Sequence, residues 1–202
     1  MLDRIFDPEN RFWTFANKVA DMVVLGFLCF VCCLPLVTAG AAFSAFWRMM
    51  LELARDEEAH LFSGFFRGFR ECFLTGTAAG VTHFAAAGFL VVDAFLCLRM
   101  GSRMGAFLAG VFGALLVLLC LSGIWVYPLI GGWGLHWREA VVNGCLLAVR
   151  HLLAGLLGLG MLMAAFVVSF YLPYGVLVLP VLACYGVARI VDRALADPPQ
   201  VE

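Results

Sequence analysis

Few side chains in this sequence could do chemistry, and those few are charged or polar residues within long apolar runs. Arg48 and Glu52 stand four residues apart, a spacing that places both side chains on one face of a helix. An ion pair between them would lower the cost of holding each charge at membrane depth. Asp93 lies in another apolar run, where we expect it to pair with Arg99 or Arg103 at the interface. Charged residues in such runs are candidates for a functional site.

No arrangement typical of an enzyme or a cofactor site stands out in the sequence. We find no Ser/His/Asp set, no Gly-rich phosphate loop and no H-E-x-x-H. Cys29, Cys32 and Cys33 read C-x-x-C-C, but cysteine also packs as a small hydrophobe, and no second Cys or His pair at metal spacing accompanies them. His83 is expected to be a hydrogen-bonded residue of the bundle. We therefore expect no catalytic, cofactor or metal site.

The composition predicts a helical membrane protein. Of 202 residues, 64% are hydrophobic and 13% are charged, and the net charge is -1. A soluble fold cannot bury so much apolar surface, and several runs reach the roughly 20 residues that cross a bilayer as a helix. The runs lack the period-2 alternation of a membrane β-barrel. With no basic block, nothing indicates nucleic acid, and the expected partner is the lipid bilayer.

These runs predict an all-α, multi-pass transmembrane bundle of about six helices in one domain, residues 1–202. The predicted helices cover 19–34, 39–54, 72–98, 104–130, 141–172 and 175–191. The last two must be separated by a turn at Pro173 and Gly175, because together they would be twice as long as a bilayer is thick. Residues 1–18 are expected to form an interfacial segment, with Phe12, Trp13 and Phe15 among the headgroups.

Residues 19–54 allow two topologies, one long kinked span or two helices folded back near Pro35, Thr38 and Gly40. The single span gives five crossings and divides the Lys and Arg residues five against eight. The hairpin places eleven on one face and leaves Arg99 and Arg103 on the other. The positive-inside rule favours the hairpin, with both termini cytoplasmic and the turn at or near the far side. In that hairpin, Pro35 ends the first helix, Thr38 caps the second and Gly40 permits close backbone approach.

The segment 61–73, LFSGFFRGFRECF, predicts an amphipathic helix. One face carries the phenylalanines, and the other carries most of the polar residues. The residues that we expect to form a partner surface are Phe62, Phe65, Phe66, Phe69, Arg67 and Arg70. Such a helix can lie in the membrane interface. Alternatively, its phenylalanines pack on the bundle, and either arrangement keeps the segment at the cytoplasmic surface.

Three stretches resemble the YesL-like family of bacterial membrane proteins of unknown function. They are NRFWTFANKVADMVVLGFLCFVCCLPLVTAGAAFSAFW, LARDEEAHLFSGFFRGFRECF and VYPLIGGWGLHWREAVVNGCLLAVRHL. The resemblance implies a multi-pass protein of the bacterial cytoplasmic membrane with a link to carbohydrate utilisation, because such proteins are often encoded beside sugar-uptake permeases. It supplies no catalytic residue. Arg48 departs from the family, which usually has an uncharged residue there.

Two functions follow as expectations. The first is a non-enzymatic accessory protein of a carbohydrate-uptake or sensing system, with a sugar permease or another membrane protein as partner. The second is a small-solute transporter whose site, at the broken hairpin, is lined by Thr38, Arg48 and Glu52. Spacings such as Gly76-x-x-x-Gly80, Ala106-x-x-x-Gly110 and Ala109-x-x-x-Gly113 predict close helix packing, within the bundle or in a homo-oligomer. Whether Arg48 faces a water-filled cavity distinguishes the two functions.

Overall fold

The computed structural model describes residues 11–55, 61–171 and 178–195, without the side chains of residues 11–16 and 170. Within those ranges the chain is all-α and contains no strand. The helices are α1 (Arg11–Cys33), α2 (Ala39–Ala54), α3 (Leu61–Glu71), α4 (Phe73–Arg99), α5 (Arg103–Trp133), α6 (Trp137–Arg150), α7 (Leu152–Tyr171) and α8 (Leu179–Leu195), and a 3₁₀ turn covers Leu36–Thr38. The predicted interfacial side chains of Phe12, Trp13 and Phe15 and the predicted turn at Pro173 and Gly175 lie outside the described residues.

The first two helices form the predicted hairpin. Helix α1 ends before Pro35, and α2 folds back against it, so that the Cys29 thiol lies 3.8 Å from the Ala42 carbonyl oxygen. Because the chain reverses here, a single kinked span is excluded. Thr38 occupies the N-cap position of α2 but makes no capping bond with its side chain. Its hydroxyl instead lies 2.8 Å from the Cys32 carbonyl oxygen and 2.9 Å from that of Pro35, so it ties the turn to the end of α1.

Helix α2 is the buried centre of the bundle, and α1, α3, α4, α5 and α8 all pack around it. Glycines allow these close contacts. A Cβ atom added at Gly40 would lie 2.8 Å from the Gly80 Cα and would overlap the Gly76 carbonyl oxygen. The Gly76-x-x-x-Gly80 spacing thus serves packing inside the bundle. Gly110, by contrast, has nothing within 4 Å of its added Cβ and faces open space on α5.

The hairpin turn does not reach the far end of the long helices, and that prediction was wrong. Gly40 crosses α4 at Gly76 and Gly80, near the start of a helix that continues to Arg99. At 1.5 Å per residue, residues 81–99 carry α4 about 28 Å past this crossing. The reason is the position of α2, whose later residues Ala45, Arg48 and Met49 lie against Gly64 and Gly68 of α3. At the turn, the side chains of Leu36 and Val37 are 73% and 61% exposed.

Three of the described helices are long and apolar enough to cross a membrane: Phe73–Arg99, Arg103–Trp133 and Leu152–Ser169. The prediction of one helix over 141–172 was wrong. The chain instead bends at His151, which has φ -109° and ψ 42°, and this bend separates α6 from α7. Helix α5 runs three residues beyond its predicted end at 130. It stops where Gly134 adopts a left-handed conformation, with φ 64°.

Candidate functional site

Helix α2 presents a row of charged side chains near its C-terminal end. Arg48, Glu52 and Arg55 recur at intervals of four and three residues, which places them along one side of the helix. Helix α3 ends beside them at Glu71, because Gly68 lets α3 approach α2 until its added Cβ would lie 3.3 Å from the Arg48 Cδ. Two helices therefore bring four charges together.

Arg48 is held between two carboxylates. Its Nε donates to Glu52 Oε1 at 3.3 Å, so the ion pair predicted from the i, i+4 spacing is present. Its Nη1 donates to Glu71 Oε2. The side chains of Arg48 and Glu52 are about three-quarters buried, whereas that of Glu71 is half-exposed. This clamp fixes the guanidinium in a partly desolvated position, where charge-assisted hydrogen bonds are stronger than in water.

Arg55 is anchored on its other side. Its guanidinium contacts Asp192 Oδ1 of α8 at 2.8 and 2.9 Å and lies 5.4 Å from the ring centroid of Trp133. The pair and the ring together restrict Arg55 to one orientation. The C-terminal helix therefore helps to position this end of the site.

A cavity of about 480 Å³ opens beside these charges. The charged residues that line it are Arg48, Glu52, Arg55 and Glu71, and the remaining lining residues are Leu51, Cys72, Thr75, Ile130, Gly131, Gly132 and Gly134. Arg48 thus faces a cavity with polar walls. The two arginines and two glutamates sum to zero formal charge. Hydrogen-bond donors and acceptors therefore line the cavity together, and neither positive nor negative charge is in excess.

The glycines at the end of α5 form the opposite wall for a steric reason. A Cβ at Gly131 would overlap the Ser44 carbonyl oxygen and lie 3.2 Å from the Arg48 Cβ, and one at Gly132 would lie 2.9 Å from the Leu51 Cδ1. Larger residues at these positions would push α5 away from α2. The glycines keep the α5 backbone close to the charged row.

The turn residues predicted to belong to the site do not line this cavity. Pro35, Thr38 and Gly40 lie at the opposite end of α2, and ten residues of helix place Thr38 about 15 Å from Arg48. The prediction that Thr38 shares a site with Arg48 and Glu52 was therefore wrong. Pro35 and Thr38 shape the turn, and Gly40 serves the crossing with α4.

Asp93 is also separate from the cavity, because it lies in the half of α4 beyond the hairpin turn. The expected ion pair does not form. Within the part of the chain that the structure describes, Asp93 has no ion pair with Arg99 or Arg103, and the Arg99 guanidinium lies over the Phe95 ring, 4.9 Å from its centroid.

His83 is hydrogen-bonded within the bundle, as expected. Its Nδ1 lies 3.1 Å from the Ala79 carbonyl oxygen and its Nε2 lies 3.1 Å from the Ser122 Oγ. A carbonyl oxygen only accepts, so Nδ1 donates to Ala79. The Ser122 Oγ also lies 2.7 Å from the Leu119 carbonyl oxygen, so its single hydroxyl proton has two acceptors, that carbonyl and Nε2. The Sγ atoms of Cys29 and Cys33 are 3.9 Å apart, and no group of three or more potential metal ligands occurs among the described residues.

Helix α3 divides its phenylalanines between two surfaces. Phe65 is fully buried against the bundle, and Phe69 is half-buried beside it, with 6.4 Å between their ring centroids. Phe62 and Phe66 point outwards and are 61% and 48% exposed. The exposed Arg67 and Arg70 join Phe66, Ser63 and Glu71 around a surface cleft of about 430 Å³. Packing on the bundle is therefore confirmed for Phe65, whereas Phe62 and Phe66 remain on the outer surface.

Sequence reasoning missed two of the four charged residues that line the cavity and all of its uncharged walls. Arg55, Glu71 and the glycines at the end of α5 were not predicted as site residues, and neither was Asp192. One signal was present, since Arg55 continues the spacing of Arg48 and Glu52. Glu71 gave no such signal, because its place beside Arg48 depends on how α3 folds back.

The apolar helices around a polar cavity define a helical membrane protein. Residues 10–94, which include α1 to α3 and most of α4, match the family model described as a protein of unknown function, DUF624. The match confirms the resemblance to the YesL-like family over this part of the chain, including Arg48, Glu52 and Glu71. No curated protein and no solved structure matches the chain.

Proposed function

We propose that this chain is a non-enzymatic integral membrane protein that binds a small, neutral, polar solute in the cavity around Arg48. One observation carries the proposal: Arg48, held by Glu52 and Glu71, faces a cavity of about 480 Å³. That volume lies in the range of small-molecule sites. The site contains Arg48 and Glu52, as expected for the solute-transporter function, but it lies at the end of α2 opposite the hairpin turn.

The charges of the cavity favour a neutral ligand. A cavity built for an anion would carry unpaired positive charge, whereas here two arginines and two glutamates cancel. Guanidinium groups donate hydrogen bonds and carboxylates accept them, so a solute rich in hydroxyl groups can satisfy both. Sugars have this chemistry, and the YesL-like resemblance, with its link to carbohydrate utilisation, makes them the first candidates.

The proposed topology places this cavity at the cytoplasmic face. The hairpin puts eleven of the Lys and Arg residues on the face that carries the 55–71 segment, and the positive-inside rule makes that face cytoplasmic. The chain would then be multi-pass, with both termini in the cytoplasm of a bacterium. A solute would enter the cavity from the cytoplasmic side.

A thermal-stability screen tests the proposal. Purified protein in mild detergent is heated with neutral mono- and disaccharides, sugar acids and amino sugars. A solute at 100 times its Kd stabilises the folded state by about 2.7 kcal/mol. We expect a neutral sugar to stabilise the wild type but not Arg48→Gln. The control is Arg150→Gln, which replaces an arginine exposed on α6 and should be stabilised like the wild type. Equal stabilisation of Arg48→Gln, or no stabilisation by any neutral sugar, would refute the proposal.

A second candidate function rests on α3. Phe62 and Phe66 are large apolar side chains exposed beside Arg67 and Arg70. Exposed aromatic and arginine residues are typical of interaction sites. In this proposal the chain is an accessory subunit, and its partner is a sugar permease or another membrane protein.

Affinity purification from native membranes tests this second function. We expect a membrane partner to co-elute with the tagged wild type at a fixed ratio, and the double variant Phe62→Ser/Phe66→Ser to lose it. The matched control is Val142→Ser, which removes an apolar side chain exposed on α6. If the wild type elutes without a stoichiometric partner, the accessory function is wrong.

A further inference from the structure

A second cavity, of about 410 Å³, differs from the Arg48 cavity in position and chemistry. It is a groove between α2, α4, α5, α7 and α8, with almost entirely apolar walls. The residues that matter most are Phe43, Trp47, Phe84, Gly123 and Tyr127. Phe43 and Phe84 are partly exposed at the mouth of the groove, whereas Trp47 is buried at its base. The groove therefore opens to the outside of the bundle.

The groove lies at the depth of the bilayer core. Its walls include α4, α5 and α7, which are the three helices long and apolar enough to span. On α4 its lining residues run from His83 to Ala87, which places them about 15 to 21 Å from Phe73, where the helix begins. A hydrocarbon core is about 30 Å thick, so the mouth of the groove meets lipid tails.

We propose that this groove binds a single acyl chain of a membrane phospholipid. The size of the groove distinguishes this occupant from a helix of another protein. A 10 Å length of helix, about 10 Å in diameter, fills roughly 800 Å³, about twice the volume of the groove. A hydrocarbon chain about 4 Å wide and 20 Å long fills roughly 250 Å³. A chain therefore fits inside, whereas a helix could only cover the mouth.

The polar groups near the groove favour a hydrocarbon ligand over a polar one. His83 is the polar residue on its α4 wall, and both of its ring nitrogens already have partners in Ala79 and Ser122. The rings of Phe43 and His83 pack at 5.6 and 5.7 Å from that of Tyr127. The walls thus offer aromatic surface, and an acyl chain gains dispersion contacts there.

Gly123 provides a way to fill the groove. A Cβ added there would meet only the Tyr127 ring, at an ordinary 3.7 Å, so Gly123→Leu extends into the groove without a backbone clash. Gly110→Leu is the matched control, because it adds the same side chain to α5 where nothing lies within 4 Å. Native mass spectrometry of the purified proteins then shows whether a phospholipid stays bound. We expect one phospholipid on the wild type and on Gly110→Leu, and at least a tenfold loss on Gly123→Leu.

Photo-crosslinking locates the chain in the folded wild type. The protein is reconstituted in phosphatidylethanolamine and phosphatidylglycerol vesicles that contain phosphatidylethanolamine with a diazirine in its acyl chain. We expect adducts on Trp47 and Tyr127, and their loss in Gly123→Leu, whereas adducts on exposed Phe89 stay in every variant. Adducts confined to outward residues such as Phe89, or equal phospholipid retention by both glycine variants, would show only surface lipid and overturn the proposal.

Discussion

Replacing Gly40 with alanine tests whether the α2–α4 crossing depends on direct backbone contact. The added Cβ would lie 2.8 Å from the Gly80 Cα and 2.9 Å from the Gly76 carbonyl carbon, besides overlapping the Gly76 oxygen. All three are backbone atoms, so no side-chain rotation relieves the contact and the helices must separate. Overpacking of this kind costs about 1 to 3 kcal/mol. That range corresponds to a roughly 5- to 150-fold shift of the unfolding equilibrium.

Reversible unfolding in mixed detergent micelles measures this shift, with Gly110→Ala as the control. Alanine at Gly110 meets nothing within 4 Å and favours the helix, so we expect it to be neutral or to stabilise by up to about 1 kcal/mol. If Gly40→Ala is as stable as Gly110→Ala, the helices do not meet at Gly40, and the position of the hairpin against α4 is wrong.

Three further predictions concern the turn and the cavity. In a cysteine-free background, Val37→Cys should react slowly with an impermeant maleimide on intact cells, because the turn lies at membrane depth. Its rate should be less than a tenth of that of Met100→Cys, which lies in the exposed α4–α5 connection. Equal rates would place the turn outside the membrane. Thr38→Val should destabilise the protein by about 1 to 2 kcal/mol, because the Cys32 carbonyl loses its hydroxyl partner while the Pro35 carbonyl keeps the Thr38 backbone N–H. Thr38→Ser should keep the stability of the wild type in the same unfolding assay, and equal stability of the two variants would show that the hydroxyl is not needed. Glu71→Gln raises the formal charge of the cavity from 0 to +1. In the thermal-stability screen, the ligand preference should therefore shift from neutral sugars towards sugar acids. An unchanged preference would contradict the proposed role of charge.

Local patterns predicted the parts of the fold that depend on neighbouring residues. The hairpin followed from Pro35 and the distribution of positive charge, and the Arg48–Glu52 pair from its spacing. Close approach was expected at Gly40 and separately at Gly76 and Gly80, and the structure brings these glycines together in one crossing. Pro35 and the Arg48–Glu52 spacing are signals within one or two helices, whereas the charge distribution is read along the whole chain.

The remaining features depend on tertiary packing. The bend at His151 has no proline or glycine within two residues on either side, so no turn signal marked it in the sequence. The level of the hairpin turn depends on how far α2 extends past the start of α4, which neither helix encodes alone. Glu71 reaches Arg48 because α3 packs on α2 through Gly68, and Gly131 becomes a cavity wall through its contact with Ser44.

Isothermal titration of the purified protein with neutral sugars tests the central claim, that the Arg48 cavity is a solute site. We predict saturable binding of a neutral sugar at one site per chain, unchanged in Arg150→Gln and at least tenfold weaker in Arg48→Gln. Binding that is equally strong in Arg48→Gln, or no saturable binding of any neutral sugar to the wild type, would contradict the claim.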